Sequence, residues 1–287
     1  MAHLLIFGLG FCGAAVARAA AAAGMDVTAT SRSPGAATPV TGARLVAFDD
    51  ASPLIPQATH LLSTAPPGRA GDPVLAHHGE AIRTVPHLRW IGYLSTTGVY
   101  GDRQGGWVDE DTEPAPTSDR ARRRLAAEQE WRDAAGARPL DLFRLGGIYG
   151  PGRSQLDDLR AGHAHRILQP GHMFGRIHVD DIAGGVMAAI GRPPEGTRVL
   201  NFADDEPAES AVVVAEAAHL LGLPVPLGRP LEQAWPGMSE MARSFWAENR
   251  KVASRKTQDW LGYRWRYPSY REGLRAILQQ ERGHDPA

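Results

Sequence analysis

A doubly wound α/β fold, with a parallel sheet and a small C-terminal lobe, is predicted by three features of this 287-residue chain. Through the first 150 residues, apolar runs of strand length alternate with helix-like segments, which implies parallel pairing through right-handed crossovers. A glycine-rich turn, Gly8-Leu9-Gly10-Phe11-Cys12-Gly13, joins the first of those runs to the first helix. Beyond residue 150 the alternation weakens, turn signals such as Pro151-Gly152 and Pro170-Gly171 appear, and aromatic residues concentrate toward the C-terminus.

The elements follow in order. His3 to Phe7 reads as a buried strand, and Phe11 to Ala23 as an alanine-rich helix stopped near Gly24. Asp26 to Thr30, Arg44 to Phe48, His60 to Ser63 and Arg89 to Ser95 are the next strands, with a helix over Pro73 to Thr84 before the last of them. Ser118 to Ala135 reads as a helix capped by Ser118 or Asp119 and ended by Gly136. Leu140 to Leu145 is a strand, Asp180 to Ile190 a helix, Arg198 to Phe202 a strand and Ser210 to Leu221 a helix. Pro224 to Gly237 reads as loop. This pattern assigns residues 1–150, with 176–203 returning, to the main domain. The smaller substrate lobe takes 151–175 and 204–287, with its late aromatics as a core of which a few line a pocket.

Composition narrows the function classes. Hydrophobic residues at 43% and charged residues at 22% fit a globular chain, and no apolar run approaches the ~20 residues of a membrane span. Thirty-one basic against 32 acidic residues give a net charge of −1, so neither nucleic acid nor a membrane surface is an expected partner. Cys12 is the single cysteine and no secretory leader is evident, so the cytoplasm is the expected compartment. Pairs such as His77-His78 and His163-Ala164-His165 lack metal-ligand spacing, and no metal is expected. The basic side is nearly all arginine, with Lys251 and Lys256 the only lysines.

The glycine turn has the context of a dinucleotide site. Gly8 permits the tight turn, Gly10 lets backbone approach a pyrophosphate, and Gly13 packs helix on sheet. Phe11 and Cys12 belong to the same loop, Cys12 as a small apolar filler rather than a redox group. After the second strand stands Thr30-Ser31-Arg32, where a site for NAD usually has an acidic residue. A hydroxyl beside an arginine favours a 2′-phosphate, so NADP(H) is expected over NAD(H), with Ser31 and Arg32 as its readers. Asp49 after the third strand and Ala65 after the fourth complete the expected cofactor set.

Four further segments are Leu94-Ser95-Thr96-Thr97-Gly98-Val99-Tyr100-Gly101, Phe143 to Arg153, Ile177-His178-Val179-Asp180-Asp181-Ile182-Ala183, and Leu200-Asn201-Phe202-Ala203-Asp204-Asp205. With the glycine loop, these resemble the extended short-chain dehydrogenase/reductase superfamily of NAD(P)-dependent epimerases and dehydratases, over nearly the whole chain. The resemblance implies an NAD(P)-binding Rossmann fold and a catalytic set of a Ser or Thr, a Tyr-x-x-x-Lys pair and often an upstream Asn. The hydroxyl matches Thr96, with Ser95 on the other side of the strand. The Tyr-x-x-x-Lys pair is missing: Arg120 stands at the tyrosine position and Arg124 at the lysine position, and no Tyr or Lys lies between Tyr100 and Tyr149. The Asn position falls near Asp72. A guanidinium cannot cycle a proton near neutrality, so carbonyl reduction by a tyrosine is not carried over.

Tyr149, Tyr100, His178 and Asp72 are the nearby groups able to exchange protons, and Tyr149 joins Thr96, Arg120 and Arg124 in the candidate catalytic set. His178 has a structural alternative. Asp180 and Asp181 read as helix-start residues. Arg144 and Arg153 have two readings, as anion binders or as paired side chains. On the charged helix, Arg120 and Arg124 share one face while Arg122 and Arg123 turn away. The leading function is an NADP(H)-binding oxidoreductase or epimerase-like enzyme on a small polar or anionic substrate, such as a sugar nucleotide. The alternatives are a non-catalytic NADP(H) sensor or scaffold, and an isomerase or lyase that uses the nucleotide transiently. Homodimerisation through the helices near Pro73 to Thr84 and Ser118 to Ala135 is implied by the resemblance.

Overall fold

The computed structural model describes residues 2–283, so the last four residues of the predicted lobe lie outside it. The chain opens with β1 (His3–Phe7), α1 (Phe11–Ala22), β2 (Asp26–Ser31), β3 (Ala43–Ala47), β4 (His60–Ser63), α2 (Pro73–Thr84) and β5 (Trp90–Thr96). It continues through β6 (Trp107–Val108), α3 (Asp119–Ala135), β7 (Leu140–Leu145), β8 (Gly147–Tyr149), α4 (Gln155–Arg160), β9 (Ile167–Leu168) and β10 (Arg176–His178). The remainder is α5 (Val179–Ile190), β11 (Thr197–Phe202), α6 (Ser210–Leu221), β12 (Arg229–Pro230), α7 (Leu231–Ala234), α8 (Glu240–Trp246), β13 (Lys251–Val252), α9 (Arg255–Leu261) and α10 (Tyr270–Gly283).

Seven strands form one parallel sheet in the order β3-β2-β1-β4-β5-β7-β11. The chain reverses its winding between β1 and β4, which opens a crevice at their C-terminal ends, where ligands of such sheets bind. One face is covered by α1 and α5, whose alanines and glycines let the helices approach the sheet closely. The other is covered by α2 and α3 around Trp131, Leu75 and Ile82. Tyr149, Leu156, Val213, Tyr270 and Leu274 join α4, α6 and α10 in a separate cluster. The fold class is the one the sequence predicts. Among the described residues no helix is long and apolar enough to cross a membrane.

Two local expectations need correction. The third strand runs Ala43–Ala47 and stops short of Phe48, whose backbone is already helical as the cap of a 3-10 helix over Asp49–Gln57. Pro53 and Pro56 lack the N–H groups that a regular helix would use there. His78 clasps this segment, with Nδ1 2.7 Å from Ser52 Oγ and Nε2 3.0 Å from the Phe48 carbonyl. Pro224 to Gly237, expected as loop, contains β12 paired with β9, then α7 and a 3-10 turn. Pro230 caps α7 and Pro236 lies in the first turn of the 3-10 piece, places where a missing N–H costs no helix bond.

Candidate active site

At the glycine loop each glycine has its own physical reason. Gly8 sits at φ +102°, and a Cβ there would press on Thr64 Oγ1, the hydroxyl that donates 2.9 Å to the Gly8 carbonyl. A Cβ on Gly13 would collide with the Gly8 carbonyl oxygen, whereas one on Gly10 would meet open space. The first turn of α1 has no side-chain cap, so its amides are available to an anion. Cys12 is buried within this turn. Burial, against the opposing charge of Arg153, pushes its thiol up to about 11, which removes it from redox chemistry at neutral pH. Phe11 carries the Arg153 guanidinium over its ring at 5.6 Å. Ser31 Oγ accepts from the Ser33 amide at 3.1 Å, Arg32 and Asp49 are exposed, and Ala65 is half-buried just past β4.

Beside this loop, past the ends of β5 and β7, lies a cavity of about 400 Å³. Thr96, Arg120 and Arg124 all line it. Thr96 Oγ1 accepts from the Gly98 amide at 3.1 Å, which leaves its own proton free to donate. Arg124 donates to the Leu94 carbonyl (2.8 Å) and to Tyr93 Oη (3.1 Å), neither of them a carboxylate. Arg120 stands at the mouth over the Phe245 ring, 5.4 Å from its centroid. Desolvation and then the charge of Arg124 lower Arg120 from the ordinary arginine value. Arg122 turns outward to Asp119, as helical spacing requires.

Tyr149 is not brought to these three. It does not line the cavity; it is buried against α10, its hydroxyl 3.4 Å from the Ser269 carbonyl. Burial, with Asp204 and Asp181 nearby, raises its pKa, so it holds its proton at neutral pH. His178 caps α5 by accepting from the Asp180 amide, and burial lowers it to about 4. Asp181 accepts from Tyr263 Oη and from the amides of Arg266 and Tyr267, fastening the C-terminal segment instead of capping the helix. Asp72 caps α2 and accepts from Trp131 Nε1.

Under the cavity runs a paired polar floor. Ser95 Oγ donates to Glu128 at 2.5 Å, and Arg144 forks onto both oxygens of Glu128 at 2.8 and 3.2 Å. Arg144 also covers the ring of Tyr100, whose hydroxyl donates 2.7 Å to Asn201. Arg144 therefore takes its paired reading and is not an anion binder. The walls contain residues the sequence did not single out, Arg176, Glu248 and Arg250, together with Phe245 and Trp246, two of the late aromatics of which a few were expected at a pocket. Arg250 pairs with Glu248 at 2.7 Å. Arg176 stands two places before His178, on the same strand face, and that alternation was the one available signal.

The fold and this crevice define the class: a doubly wound α/β protein of the Rossmann type, with its cavity past the C-terminal ends of the parallel strands. No family model matches the chain. A functionally unknown conserved protein from Silicibacter pomeroyi DSS is 42% identical, with a TM-score of 0.91 over 98% of this chain and 99% of that one. The chain belongs to the same family as that protein. Protein YeeZ of Escherichia coli (strain K12) is 28% identical over 253 residues, 79% of this chain and 86% of its own length. The same fold occurs in MoeE5 in complex with UDP-glucuronic acid and NAD, at 19% identity and TM-score 0.79 over 98% and 99% of the two chains. It occurs too in human epimerase family protein SDR39U1 (isoform 2) with NADPH, at 21% identity and TM-score 0.76 over 96% and 99%.

Proposed function

We propose that this protein is an NADP(H)-dependent oxidoreductase or epimerase-like enzyme for a small anionic substrate, with guanidinium groups at the positions where the resemblance of its sequence implies tyrosine and lysine. The observation that carries this reading is the charge of the cavity. Arg120, Arg124, Arg153, Arg176 and Arg250 line it against one carboxylate, Glu248, which is already paired. Such a wall favours a phosphate or carboxylate, and a sugar nucleotide of the kind bound by MoeE5 meets that requirement.

The residues fit a dinucleotide. The open side of Gly10 and the uncapped turn of α1 would hold its pyrophosphate, and Ser31 with the exposed Arg32 a 2′-phosphate. The bound nicotinamide supplies hydride chemistry. Thr96 donates its hydroxyl proton toward the reacting oxygen, while Arg120 and Arg124 stabilise negative charge that develops there. Neither arginine releases a proton, so water in the open mouth balances the protonation. Self-association through the outer faces of α2 and α3, and a cytoplasmic setting, belong to the same reading.

The test is turnover, followed by nicotinamide absorbance over a panel of keto acids, sugar phosphates and sugar nucleotides. Arg120→Ala is expected to lower kcat/KM by about 100-fold, and Thr96→Ala to lower it as well, while both retain NADPH. A second reading, a non-catalytic NADP(H) sensor, is favoured by the missing Tyr-x-x-x-Lys pair. It prevails if no substrate turns over and neither variant alters any rate while NADPH still binds.

A further inference from the structure

A second cavity of about 410 Å³ opens between α4, α6 and α10, and four residues line both cavities: Gly147, Ile148, Arg153 and Arg176. Gly147 and Ile148 form part of the common wall, and the two arginines reach into each space. Arg176 spends one guanidinium nitrogen on the carbonyls of Phe174 (2.8 Å) and Ala208 (3.0 Å). Among the described residues, neither Arg176 nor Arg153 forms an ion pair with a carboxylate.

Three buried polar atoms nearby lack partners. Asp204 donates its backbone amide to the Arg176 carbonyl, yet both of its carboxylate oxygens are buried and unpaired. Burial holds that carboxyl well above the usual carboxylate range. Tyr270, fully buried on the wall of the second cavity, has a hydroxyl with no partner. An unmet buried hydroxyl costs stability, and a ligand hydroxyl that bonds to it recovers that cost while bound. Farther out stand Asp157 and Asp158, which accept hydrogen bonds from Ser154 and Gln155. Their charge disfavours a second anion in this space but suits hydroxyl groups.

We propose that the two cavities form one bipartite site in which Arg176 and Arg153 grip a single phosphate at the neck and Tyr270 receives a hydroxylated arm in the second cavity. The ligand class is a phosphorylated polyol or sugar. This inference rests on the anionic-substrate reading above and extends it to a subsite at which that reading places nothing.

Calorimetry on the full chain, without nucleotide, compares inorganic phosphate, glucose 1-phosphate and ribose 5-phosphate. At least one sugar phosphate is expected to bind about tenfold or more tighter than phosphate. Tyr270→Phe should abolish that advantage while leaving phosphate binding unchanged and the melting temperature equal or higher. Arg176→Gln should weaken all three ligands. The inference is overturned if neither sugar phosphate outbinds phosphate, if the advantage survives Tyr270→Phe, or if that variant melts lower than wild type. An NADPH titration on the same samples separates the two readings. Lost NADPH binding in the wild type sinks the proposed function, whereas intact NADPH binding without a sugar-phosphate preference sinks the subsite alone.

Discussion

Arg144 and Arg124 lie on neighbouring elements beneath one cavity, yet they answer their charge in opposite ways. Arg144, 3% exposed, has both oxygens of a buried glutamate. Arg124 has a carbonyl and a phenol. The same contrast separates the whole floor, Ser95-Glu128-Arg144-Tyr100-Asn201, from the wall of Arg120, Arg124, Arg153 and Arg176. A buried ion must be paired inside the fold or it is not tolerated. A cation at a cavity mouth needs no partner in the empty protein, so its counter-charge can arrive with a ligand. Floor charges thus report on folding and wall charges on binding.

The comparison breaks most readily at Glu128. Glu128→Ala strands Arg144 and is expected to cost about 3–5 kcal/mol in urea unfolding; a loss below about 1 kcal/mol would deny the floor its structural role. Gly13→Ala drives a methyl into the Gly8 carbonyl. Its expected cost is about 1–3 kcal/mol, with NADPH fluorescence enhancement lost, and unchanged NADPH binding would argue against a site on this loop.

A pH scan sharpens the contrast next. The folded protein holds His178 at about 4 against 6.5 for a free imidazole, chiefly through burial. Between those values the unfolded chain takes up a proton that the native state refuses, so this group's contribution is complete above pH 6.5 and is lost as the pH falls toward 4. The raised carboxyls of Asp72, Asp141 and Asp181 work in the opposite sense, losing stability as pH rises above 3.8. The comparison is therefore made with His178→Asn, which keeps a helix cap. That variant should show a flatter melting-temperature profile between pH 6.5 and 4, and an unchanged slope would remove His178 from the account.

Smaller effects belong to the wall. Arg120→Ala should move stability by no more than about 0.5 kcal/mol while weakening calorimetric binding of inorganic pyrophosphate; the reverse pattern would return Arg120 to the fold. Tyr149→Phe removes a 3.4 Å hydrogen bond and should cost no more than about 1 kcal/mol, with NADPH affinity unaltered. A large loss of NADPH affinity there would return Tyr149 to the site.

What the sequence made legible follows the same division. The glycine loop is a local device, so spacing alone placed Gly8 in a tight turn and Gly13 at a close approach, and the backbone shows both. Helical periodicity likewise placed Arg120 and Arg124 on one face. The floor was harder to read, because Glu128 and Arg144 come from a helix and a strand whose contact only the sheet order creates. Arg250 and Glu248 reach the cavity from more than a hundred residues beyond Thr96, through a short strand pairing of β13 with β6 that carries no periodic signal. Tyr149 shows the converse problem. Its segment borders the cavity through Gly147 and Ile148, but the strand alternation and the close approach of Gly273 turn the ring away.

The central claim is that this crevice holds NADP(H), read by Arg32. The most direct measurement is a fluorescence titration of NADPH and NADH on wild type and Arg32→Ala. The account predicts that NADPH binds about tenfold or more tighter than NADH, a gap of roughly 1.4 kcal/mol, and that Arg32→Ala removes the preference. Equal affinities in the wild type, or no binding of either nucleotide, would contradict it.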